Sequence, residues 1–281
     1  MSLHLFEGFG VELEYMVVSA QGLDVHPVVD ELFKQYAGTY VSDIERGALV
    51  WSNELVTHVV ELKTNGPAQK LDDLAAAFQR DIEEIGRTLA GMGARLLPGG
   101  AHPWMDPLKE TKLWQHDNDV TYAAFDRIFG CKGHGWSNLQ SAHLNLPFAG
   151  DDEFGRLHAA IRLVLPLLSA LSASSPFLDG RRGPALDQRL AVYRTNSKRI
   201  PSVCGRVVPE PVYTRADYEE RLLSRIYADI APLDQDGILQ DEFLNARGAI
   251  ARFGRGSIEI RVLDTQECPK ADMAIIALTV A

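Results

Sequence analysis

Cysteine is scarce. Three residues, Cys131, Cys204 and Cys268, lie far apart in a chain of 281. No C-x-x-C spacing occurs, and the set is odd in number, so neither a zinc site nor a disulfide framework is indicated. A reducing, cytoplasmic setting is the expectation. Positive charge is also short. The formal net charge is −10, whereas a general nucleic-acid binder needs basic surface to meet phosphates, so no nucleic-acid partner is expected. No uninterrupted apolar run reaches the length of a membrane span. The run at residues 163–173 is too short and contains Pro166. The first seven residues lack the basic region and apolar core of a signal peptide. No repeat, low-complexity stretch or break in composition marks a linker, so a single domain over residues 1–281 is expected.

Hydrophobic residues make up 46% of the chain, enough for a sizeable core. The most informative stretch is residues 8–17, Gly-Phe-Gly-Val-Glu-Leu-Glu-Tyr-Met-Val. It alternates as an extended strand does, with Val11, Leu13 and Tyr15 on one face and Glu12, Glu14 and Met16 on the other. The two carboxylates then lie about 7 Å apart. Like charges that close are costly unless water or a cation covers them. A lone E-x-E is more often a solvated edge strand; here three later strands repeat the pattern.

Residues 58–64 put Glu61 and Lys63 opposite Val60 and Leu62. Residues 137–148 put Leu139, Ser141, His143 and Asn145 on one face. Residues 252–264 put Glu259, Arg261 and Leu263 opposite Ile258, Ile260 and Val262. Between them, helical spacing predicts helices over 24–36, 70–90 and 151–173, the second carrying Leu71, Leu74, Phe78, Ile82, Ile85 and Leu89 on one face. The second half of 151–173 is apolar all round, predicting complete burial, with Asp151 or Asp152 as cap. Residues 38–53 read as strand or loop, 94–100 as a strand entering a glycine-rich turn, and 106–136 as a long loop with one helical stretch at 122–128. The glycine-rich Cys131-Lys132-Gly133-His134-Gly135 lacks P-loop spacing. Residues 180–206 form a basic stretch in an acidic chain, either a solvated loop or an anion site. Thr214 with Asp217 resembles a capping box. Beyond Pro269 the chain is apolar to Ala281, which suggests a chain truncated at its C-terminus.

The fold class implied is α+β: a largely antiparallel sheet with one face packed by helices and the other an open acidic trough. Oxygen donors with one imidazole suit Mg²⁺ or Mn²⁺. Magnesium shares its shell readily with phosphate oxygens, which points to a nucleotide. The basic stretch and Arg261 would supply charge for a transferred phosphoryl group.

Four blocks in this order, G-V-E-L-E at 10–14, V-E-L-K-T at 60–64, S-A-H-L-N at 141–145 and S-I-E-I-R-V-L-D at 257–264, together with the apolar run at 165–177, resemble the glutamate–cysteine ligase type 2 family of bacterial carboxylate–amine ligases. The resemblance implies a glutamine-synthetase-like fold and an ATP-dependent ligase that forms an amide through an acyl phosphate. Glu12, Glu14, Glu61, His143 and Glu259 would hold the divalent ions. Arg261 would offset the charge on the moving phosphoryl group, and Glu259 of the same strand is the other catalytic candidate. Arg252, Arg189 and Lys198 are candidates for nucleotide or substrate contacts. The substrates would be an amino-acid carboxylate, plausibly glutamate, and an amine; a homo-oligomer is compatible and no membrane partner is implied. Asn145 stands where many members carry a second histidine, which bears on the substrate more than on the metal site. Two other readings fit the same trough: a metal-dependent hydrolase, and a non-catalytic nucleotide- or amino-acid-binding protein.

Overall fold

The computed structural model describes residues 3–281. In chain order the elements are β1 (Gly10–Ser19), α1 (Val29–Ala37), β2 (Asp43–Arg46), β3 (Leu49–Asn53), β4 (Val59–Thr64), α2 (Leu74–Gly91) and β5 (Ala94–Leu97). Then come α3 (Pro107–Glu110), α4 (Asp119–Phe129), α5 (His134–Ser137), β6 (Ser141–Pro147) and α6 (Gly150–Ser172). A small hairpin of β7 (Phe177–Leu178) and β8 (Arg181–Arg182) precedes α7 (Gln188–Asn196), α8 (Arg215–Tyr218) and α9 (Ser224–Ile230). The chain closes with β9 (Ala249–Arg252), β10 (Ser257–Asp264) and α10 (Pro269–Val280).

The main sheet has the order β2-β3-β4-β1-β6-β10-β9, and every pairing in it is antiparallel. β1 is central because it pairs along its whole length. One edge meets β4; the other meets β6 over Gly10 to Leu13 and β5 over Met16 to Ser19. The alternation read from sequence sorts the faces. Val11, Leu13, Tyr15, Val60, Leu62, Ala142, Leu144, Ile258 and Ile260 enter one core cluster with Phe78, Ile85 and Leu89 of α2 and Phe154, Ile161 and Leu165 of α6. Helices therefore cover one face of the sheet, as the α+β expectation required.

Within residues 38–53, Asp43–Arg46 and Leu49–Asn53 form the β2–β3 hairpin, turning at Gly47 with φ +75°, a left-handed value that costs glycine nothing. Thr214 caps α8 as its spacing predicts, accepting from Asp217 N at 3.2 Å. Asp151 does not cap α6; it accepts from Arg215 N. Nor is α6 buried all round. Leu163, Leu167 and Leu171 are 78%, 63% and 53% exposed. A helix lying on a single sheet buries only the stripe that touches it, here Phe154, Leu157, Ile161, Leu165 and Leu168. The run at 163–173 is the end of this helix, which by length and composition alone could cross a membrane, although its inner stripe belongs to the core.

Candidate active site

Register decides which acids meet. Glu12 lies opposite Lys63 on β4 and His143 on β6; Glu14 lies opposite Glu61; Glu259 lies opposite Asn145. Residues paired this way project to one face of the sheet. His143 is the hub. Its Nδ1 is 2.9 Å from Glu12 Oε2, and its Nε2 is 2.9 Å from Ser141 Oγ. Ser141 donates from its backbone N (2.7 Å) and its hydroxyl (3.1 Å) to Glu14 Oε2. That carboxylate reaches β6 just where β6 stops pairing with β1. Asn145 Nδ2 donates to Glu12 Oε1 at 3.0 Å, leaving its own Oδ1 buried without a partner.

Glu259 is held from both sides. Arg252 Nη1 lies 3.0 Å from Oε2 and Arg261 Nε 3.1 Å from Oε1. Arg261 sits at a bulge. Ile260 pairs with Leu144, but Leu263 pairs with Ala142, so Arg261 and Val262 together oppose His143. The extra residue reverses the alternation. Leu263, expected beside Glu259 and Arg261, turns instead into the helix-side core.

These groups line a cavity of about 1120 Å³ on the uncovered face, in which Glu12, Glu14, Glu54, Glu61 and Glu259 meet Lys63, Arg252, Arg255 and Arg261. The charges strain one another. Burial works against the ionised Glu12, but the hydrogen bond from His143 and the fields of Lys63 and Arg255 prevail, lowering it to about 2. Burial and the neighbouring Glu12 and Glu54 push Glu61 well above the carboxylate range. Burial and Glu14 raise Glu54 to about 7. Burial opposes the imidazolium of His143, yet the Glu12 hydrogen bond and Glu14 raise it.

A divalent cation would relieve this crowding, and the donors suit one. Glu12, His143 and Glu259 can each offer one atom within 4.8 Å of the others, and so can Glu14, Glu61 and His143. Carboxylate oxygens with a single imidazole match magnesium or manganese.

Seven of the residues singled out from the sequence thus share one cavity: Glu12, Glu14, Glu61, His143, Arg252, Glu259 and Arg261. Two nucleotide or substrate candidates depart. Lys198 is exposed just beyond the end of α7 and lines neither this cavity nor the one beside it. Arg189 is buried with its guanidinium on Asp264, and it lines the adjoining cavity rather than this one. A Cβ at Gly100 would collide with that Asp264 carboxylate, which explains the glycine in the predicted turn. The basic stretch does not gather into one anion site: Arg181 and Arg182 are exposed on β8, and Arg199 donates to the Ile128 carbonyl. The trough's cations come instead from Lys63, Arg252, Arg255 and Arg261. Sequence reasoning missed Glu54 and Arg255. Glu54 follows β3 directly, so continuing the hairpin pattern by one residue would have flagged it.

The profile of glutamate–cysteine ligase family 2 (GCS2) matches residues 8–281. The chain belongs to this family. An uncharacterized protein of Archaeoglobus fulgidus is 36% identical over 95% of this chain and 72% of its own length. A Rubrobacter xylanophilus protein with the provisional name glutamate–cysteine ligase 2-3 is 26% identical over 96% of this chain and 67% of its own. For a similarly named Enterobacter protein the match is 25% identical and spans 61% of that protein. The GCS2 chain described here therefore spans roughly two thirds of the length of the curated relatives it matches. Among solved structures, that of the ligase PafA in complex with the prokaryotic ubiquitin-like protein Pup aligns with 97% of this chain and 45% of its own, at TM-score 0.44 and 12% identity.

Proposed function

We propose that the trough makes this chain an ATP-dependent carboxylate–amine ligase that activates the side-chain carboxylate of glutamate as an acyl phosphate. The observation that carries the reading is two overlapping acidic ligand sets sharing His143, flanked by the guanidiniums of Arg252 and Arg261, in a member of the GCS2 family. An acid-rich site bordered by arginines is what a metal-bound polyphosphate requires.

In this reading Glu12, Glu14, Glu61, His143 and Glu259 would hold Mg²⁺ or Mn²⁺, which when bound supplies Lewis acidity at the γ-phosphoryl group. Glu259, braced by two arginines, keeps a fixed orientation. Arg261 offsets charge on the moving phosphoryl group. The substrate carboxylate oxygen attacks the γ-phosphorus and the bond to ADP breaks. The amine nitrogen then attacks the acyl carbon, and phosphate leaves with the C–O bond electrons. The proton shed by nitrogen passes to Glu54, whose carboxylate lines both the trough and the cavity beside it.

The test is phosphate release and hydroxamate formation with hydroxylamine as nucleophile. Both should require ATP, a divalent cation and glutamate together. Phosphate release without the amino acid would point to a hydrolase and overturn the reading; so would nucleotide binding with no turnover under any condition.

A further inference from the structure

Beside the trough lies a second chamber of about 550 Å³. The two share Glu14, Glu54, Tyr122, His143, Arg255 and Arg261, so the chamber opens onto the place where the acyl group would form. Its walls differ in kind. Tyr122, Phe125, Trp136, Tyr193 and Phe243 line it. The Phe125 ring lies 5.5 Å from Trp136 and 6.2 Å from Phe243, giving a continuous aromatic arc. Trp136 spends its indole N–H on the Asn196 carbonyl, so what it offers the chamber is ring surface. The Tyr193 hydroxyl is buried without a partner.

We propose that this chamber is the acceptor site and that the acceptor is a primary amine carrying an aromatic or bulky branched apolar group. The inference rests on the ligase reading and goes on to specify its second substrate. A triphosphate or a short dicarboxylate gains nothing from an arc of aromatic rings, whereas an apolar tail is driven onto them. The mouth carries the carboxylates of Glu14 and Glu54. They attract an ammonium head, while Arg255 and Arg261 of the same seam face the phosphoryl side of the acyl phosphate. The amine thus enters head-first toward the seam, tail against Phe125, Trp136 and Phe243. A nucleobase is the rival occupant, and displacement of the amine by ATP would reveal it.

The experiment uses the full chain with ATP, Mn²⁺ and glutamate and compares 2-phenylethylamine with ethylamine, with hydroxylamine as a nucleophile that needs no apolar pocket. The larger amine should be used at least about tenfold more efficiently, as burying a phenyl ring allows. Phe125→Ala should shrink that ratio at least about threefold, whereas a lesion of the fold alone would slow both amines equally. Hydroxamate formation with no preference between the amines overturns this inference and leaves the ligase reading intact. Should no hydroxamate form, intrinsic tryptophan fluorescence titration decides the matter separately. Phenylethylamine binding that exceeds ethylamine binding, weakens in Phe125→Ala and is not displaced by ATP supports the chamber assignment. Equal binding, or displacement by ATP, refutes it.

Discussion

Strand β10 carries two arginine–carboxylate clusters five residues apart, and they have opposite characters. At its end, Asp264 is saturated. Arg189 Nε holds one oxygen, while Ser174 N (2.9 Å) and the Ser175 hydroxyl (2.7 Å) hold the other. Both partners are sealed from solvent. At its middle, Glu259 also has a guanidinium on each oxygen, but it faces the cavity with His143 4.0 Å away. Arg252 Nε there is buried without a partner. The same pair of functional groups is a structural clasp where the carboxylate is sealed from solvent and a candidate site where the wall stays open. The bulge at Arg261 separates the two: Glu259, ahead of it, faces the trough through regular alternation, and Leu263, beyond it, turns to the core.

Substitution can break this contrast. The largest effect is expected from Glu259→Gln, which removes a ligand charge and unbalances Arg252 and Arg261. Glutamate-dependent phosphate release should fall about 100-fold or more, with the circular dichroism spectrum unchanged. An active Glu259→Gln protein would erase the distinction between the clusters. Next comes Asp264→Ala, which strands Arg189 in the core. Urea denaturation should show a loss of about 3–5 kcal/mol, the cost of an uncompensated buried charge. Loss of turnover with undiminished stability would instead move Asp264 into the site.

The smallest effect sharpens the electrostatic side. The folded protein holds Glu54 at about 7, above its ordinary value of 4.5, through burial and Glu14. Between those values the folded state binds more protons than the unfolded state, so this group's contribution to stability falls as pH rises. Glu54→Gln should therefore stabilise the cation-free protein near pH 8, by on the order of 2 kcal/mol, and lose that advantage near pH 4.5. Because Glu54 borders the ligand sets, Mn²⁺ should shrink the difference. Thermal melts of both proteins at the two pH values, with and without Mn²⁺, provide the check.

Much of this site was legible in the order of residues. Strict alternation in β1 separates Val11, Leu13 and Tyr15 from Glu12 and Glu14, and repeating it in β4, β6 and β10 assembles Glu61, His143 and Glu259 on the same face. Alternation is a local consequence of the extended backbone, so it can be read one strand at a time. Charge without such a pattern says less about placement: of Arg189 and Lys198, singled out by charge and local context, the first is clasped to Asp264 in the wall of the adjoining cavity and the second is exposed outside both cavities. The outer stripe of α6 was misjudged for a related reason, since apolar residues on every side do not say how many neighbours a helix has.

What the residues determined unaided is thus the pleat of each strand and the acidic face it carries. Tertiary structure alone decided that Arg255 joins the trough, that Arg189 belongs to Asp264, and that an aromatic chamber opens beside His143. Those outcomes depend on register, a bulge and chain crossings between segments far apart in sequence. No periodicity within one segment encodes them, because the partner that settles each side chain's role arrives from elsewhere in the chain.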